Sequence, residues 1–88
     1  MNTYLVVNDG YEIDIDFALE IQAESETQAA KIWAEDPDIE CGDWSLFVMN
    51  ASKLGSLERC DEGSNEIFNR EAVKIDVEKV LSVKVSKN

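Results

Sequence analysis

Histidine is absent from this chain of 88 residues. With it go the commonest zinc ligand and the side chain that most often serves as general base near neutral pH. Serine and cysteine therefore have no usual activator, and no enzyme is expected. Proline occurs once, at Pro37, and the glycines are isolated rather than gathered into a phosphate-cradling loop. No apolar run approaches the roughly 18 residues that a membrane span requires. The opening residues, MNTYLVVNDG, lack the basic segment and long apolar stretch of a secretory signal, so a cytoplasmic location is the expectation. Cys41 and Cys60 form no C-x-x-C motif and read as reduced thiols in that compartment.

Basic residues are scarce as well. Lysine and arginine number 8 against 19 aspartates and glutamates, for a net charge of −11. Residues 1–50 hold twelve acids and one base, Lys31, whereas residues 51–88 hold seven of each, so the whole imbalance falls in the first part of the chain. Small domains stay soluble with a net charge of magnitude about 2 to 8, so solubility alone does not require this much. Direct binding to nucleic acid or to an anionic membrane is disfavoured, because both are polyanions.

What is present is a single small domain, 44% hydrophobic and 31% charged, a globular composition whose chain should bury roughly 60 to 65% of its unfolded surface. TYLVV, residues 3–7, reads as a strand, and NDG after it as a hairpin turn. In GYEIDIDFALEIQAE, residues 10–24, Tyr11, Ile13, Ile15, Phe17, Leu19, Ile21 and Ala23 alternate with Glu12, Asp14, Asp16, Glu20 and Glu24. That period of two predicts a long strand, apolar on one face and acidic on the other, with a bend or bulge near Ala18. SETQAAKIWAEDP then predicts a helix. Ser25 is its N-cap and Gln28 its capping-box partner, Ala29, Ala30, Ile32 and Trp33 are its buried side, and Pro37 is its stop.

After the acidic loop DPDIECGD, WSLFVMNA reads as a central strand buried on both sides. Trp33 and Trp44 are both expected in the core. A short strand over 57–60, paired with EIFNRE, is expected next, then a strand from Val73, a turn over 76–79 and a final strand 80–85. The fold class that follows is α+β: a mostly antiparallel sheet with one short helix packed on one face.

The acids at alternate positions are the candidate site. Side chains two apart on a strand lie about 6.6 to 6.8 Å from one another, so Glu12, Asp14 and Asp16 would form a row with a spacing like that of successive phosphates. Glu20 and Glu24 continue it, and Glu35, Asp36, Asp38, Glu40 and Asp43 extend the negative field. Such a surface suits a basic groove on a nucleic-acid-handling protein, which it would reach by electrostatic steering. A calcium loop starting at Asp36 would need glycine at its sixth position and an acid at its twelfth; Cys41 and Phe47 stand there. No metal and no cofactor is expected.

A strand ending in IQAES that runs straight into the helix ETQAAKIWAE and then into a further strand, in so acidic a chain, resembles small phage-encoded inhibitors of host defence, including anti-CRISPR families. The likeness spans residues 3–50 and is one of layout and acidity. It implies a stoichiometric, non-catalytic inhibitor that occupies a basic guide-, target- or PAM-binding surface, as on a CRISPR effector. The charge-balanced segment after Ala51 departs from a uniformly acidic mimic. The alternative is a small structural or oligomeric accessory protein whose acidity serves solubility alone, with LSVKVS as an edge through which two copies pair.

Overall fold

β1 (Asn2–Asn8) is buried on both faces, with Tyr4 and Val6 on one side and Leu5 and Val7 on the other. A strand of that kind needs a neighbour on each edge and a layer on each face. The computed structural model, which describes residues 1–8 and 15–79, supplies them. β1 lies between β2 (Leu19–Ala23) and β3 (Gly42–Asn50), and β4 (Val73–Lys79) completes a four-stranded sheet of order β2-β1-β3-β4 with every pairing antiparallel. β3 is central, as its apolar residues at both parities suggest.

α1 (Glu26–Ala34) covers one face. Ser25 Oγ accepts from the Gln28 N–H at 3.1 Å, and Gln28 Oε1 accepts from the N–H of Glu24, one residue before the cap. Ala29, Ala30 and Trp33 pack on Tyr4, Val6, Leu46 and Val48, while Ile32, expected among them, is exposed. The Trp33 and Trp44 rings meet edge to face, with centroids 5.7 Å apart and planes at 71°.

The opposite face is covered by a second helix, α2 (Glu62–Glu71), together with 3-10 turns at Ile15–Phe17 and Ala51–Leu54. EIFNRE thus lies in a helix and not in a strand. Ser64, Ile67, Phe68 and Ala72 recur at helical spacing, and they place Phe68 fully within the core beside Leu5 and Met49. No strand forms over 57–60. The α+β class holds, with this second helix added.

Two further expectations change. β4 runs unbroken through 76–79, because its register against β3 carries on to Lys79 opposite Gly42. Residues 15–23 do not form one strand either. Side chains three apart eclipse one another in a 3-10 turn, so Ile15 and Ala18 are buried together and the period of two is lost. Phe17 and Leu19 are left 70% and 50% exposed. Residues 9–10 of the NDG turn, the first part of the long strand and the final strand 80–85 lie outside the described residues.

Candidate acidic interaction surface

The surface divides at the sheet. Around α2, each base meets a carboxylate: Arg59 Nη1 lies 3.2 Å from Glu20 Oε2, Lys53 Nζ 3.3 Å from Glu71 Oε1, and Arg70 Nε 3.2 Å from Glu71 Oε2. Arg59 does more than pair. Its guanidinium donates to the carbonyls of Ile15, Asp16 and Ala18, at 2.9, 3.2 and 2.7 Å from Nη2. On the other side Asn65 Oδ1 accepts from the Ile15 N–H at 3.1 Å. The 3-10 turn is thereby held by the loop before α2 and by α2 itself. Beside this turn a shallow cleft of about 930 Å³ is lined by Asp16, Arg59, Asp61, Asn65 and Arg70 among others. Glu71 is held below the usual glutamate range, first by its hydrogen bond from Arg70 and then by that from Lys53.

At the start of β3 and the end of β4 the arrangement differs. Register sets Asp43 directly opposite Glu78, and Ser45 opposite Asp76. Paired residues share a face, so Asp43, Asp76 and Glu78 lie together on the part of the sheet that α2 does not reach. They line a shallow groove of about 420 Å³ with Ser45 and Lys74. Ser45 Oγ donates to Asp76 Oδ1 at 2.8 Å. Among the described residues none of these three carboxylates has an ion pair. Lys79, next to Glu78 in sequence, donates to the carbonyl of Asp36 instead.

The loop between α1 and β3 adds to this end. Asp36 Oδ1 accepts from the Asp38 N–H at 2.9 Å, and the Glu40 carbonyl accepts from Trp44 Nε1 at 2.9 Å. The loop is thus folded back on the end of the sheet. Gly42, with φ of 143°, supplies the backbone conformation that joins it to β3.

Of the ten acids expected to bind, Glu35, Asp36, Asp38, Glu40 and Asp43 fall in this loop and at its exit, and all but Asp36 are exposed. Asp16, Glu20 and Glu24 do not share a strand row: Asp16 is on the 3-10 turn, Glu20 is engaged by Arg59, and Glu24 follows the end of β2. Glu12 and Asp14 lie outside the described residues. Asp76 and Glu78 were not among the expected residues. A strand pattern through VKIDVEK was the signal that could have placed them on a shared face with Asp43.

Among the described residues no group of histidine, cysteine and acidic side chains converges to hold a metal ion, and no helix is long and apolar enough to cross a membrane. Cys41 and Cys60 are both free and exposed. Fold and surface together define an α+β domain in which, among the described residues, the bases around α2 are ion-paired and the carboxylates where β3 meets β4 are not. Comparison with protein families, with characterised proteins and with solved structures finds no match to this chain.

Proposed function

We propose that this protein is a non-catalytic binding module whose anionic end engages the basic, nucleic-acid-binding surface of another protein, in part by presenting charge where phosphates would lie. Occupying that surface inhibits the partner, in the manner of the phage-encoded inhibitors that the chain resembles. The supporting observation is Asp43 facing Glu78 across two strands, with Asp76 beside them and no ion pair among the described residues. Like charges directly opposite one another destabilise a sheet. A cationic partner relieves that repulsion, so the arrangement favours the bound state over the free one.

The test is capture of partners from a cell lysate at low salt, followed by elution in a salt gradient. The expected result is a nucleic-acid-handling protein, displaced by added DNA or RNA and not retained by the D43N/D76N/E78Q variant. Equal retention by that variant and by a second one carrying E12Q, D14N and D16N would overturn the reading. The alternative, an oligomeric accessory protein, takes its pairing edge from LSVKVS, which lies outside the described residues; within them the outer edge of β4 is unpaired. Sedimentation as a monomer across a wide concentration range would count against it.

A further inference from the structure

The geometry points to a strand-addition site: the outer edge of β4 takes an extended basic segment of the partner, adding a further strand to the sheet. This deepens the proposed function and rests on it for the partner's charge. β4 ends the order β2-β1-β3-β4, so among the described residues the backbone groups on its outer side have no ladder partner. A strand laid along such an edge gains affinity from main-chain hydrogen bonds and specificity from the side chains at alternate positions.

The two faces of the edge ask for different residues. On one face the incoming strand lies beside Lys74, Asp76 and Glu78, with Asp43 one strand further in. On the other it lies beside Val73, Ile75 and Val77, of which Val73 is 46% exposed. The matching segment alternates basic with apolar residues. Its two bases, about 6.6 to 6.8 Å apart, stand opposite Asp76 and Glu78. The hydrogen bond from Ser45 holds the Asp76 carboxylate in place for the contact.

A second copy of this chain fits less well. It brings another net charge of −11 to the same edge, and self-pairing centred on Asp76 sets that carboxylate against its own counterpart. The charge pattern therefore favours a basic strand from a different protein.

The probe is a synthetic peptide alternating lysine with valine, compared with the same sequence N-methylated along its backbone, which keeps the charges but cannot join a sheet. Amide exchange of residues 73–79 is followed by NMR at low salt. The parent peptide, at about ten times its Kd, should slow exchange at alternate β4 amides about tenfold. The N-methylated peptide should not. The D76N/E78Q variant should bind the parent about five- to tenfold more weakly. Equal binding of both peptides without slowing at β4 would overturn strand addition while leaving the anionic-surface reading intact. Loss of lysate capture in the D43N/D76N/E78Q variant, with neither peptide binding, would likewise overturn strand addition alone. A stable dimer whose β4 amides are already protected would overturn it by giving the edge to a second copy.

Discussion

Around α2, Arg59, Arg70 and Lys53 each lie within 3.3 Å of a carboxylate, whereas at the junction of β3 and β4, Asp43 and Glu78 face one another with no such partner among the described residues. The difference is not one of how many bases are nearby, because Lys74 and Lys79 belong to the same strand as Glu78. It lies in what the bases do. Arg59 closes three backbone carbonyls into the fold, and its ion pair with Glu20 is a minor addition, since a half-exposed pair contributes only about 0 to 1 kcal/mol. The bases around α2 serve folding, and the facing carboxylates of β3 and β4 are left without one among the described residues.

The comparison can be broken most severely at Phe68. Phe68→Ala removes the side chain around which the α2 layer packs and should cost about 3 to 5 kcal/mol in urea unfolding; a loss below about 1 kcal/mol would mean that this layer is not part of the cooperative core. Arg59→Met should cost about 2 kcal/mol, because it leaves the carbonyls of Ile15 and Ala18 without a charged donor. The matched change Lys74→Met, at the other end, should stay within about 0.5 kcal/mol. Equal effects would erase the contrast between the ends.

Smaller changes sharpen it. D43N/E78Q should raise stability by a few tenths to about 1 kcal/mol at low salt by removing a like-charge pair, and the gain should shrink at high salt. A loss of stability would show that these carboxylates are compensated after all. The smallest effect concerns pH. Glu71 is depressed in the folded protein, so its contribution is complete above the ordinary glutamate range and disappears as pH falls through the folded value. Glu71→Gln should flatten that acid limb, and an NMR titration of Glu71 should give a midpoint below that of an unstructured glutamate.

Much of this fold is legible where a local rule fixes an element. Ser25 and Gln28 mark the start of α1, and the doubly apolar run from Trp44 marks a central strand. α2 escapes such rules. Its first turn holds Gly63, its buried face includes Ser64, whose hydroxyl donates to the Glu58 carbonyl, and its apolar content is little more than Ile67 and Phe68. The long alternating strand fails for the opposite reason. The pattern is clear, but tertiary bonds from Arg59 and Asn65 impose a 3-10 turn on Ile15–Phe17. The anionic end was half legible: the loop acids stand out in sequence, while the meeting of Asp43 with Glu78 depends on a register between strands far apart in the chain.

The perpendicular indoles offer a practical return. Trp33 and Trp44 are the chain's two tryptophans, and the ring nitrogen of Trp44 is tied to the backbone of the acidic loop. Their shared emission and near-ultraviolet dichroism therefore arise next to the anionic end. An unlabelled sample carries its own optical gauge of whether something has settled there.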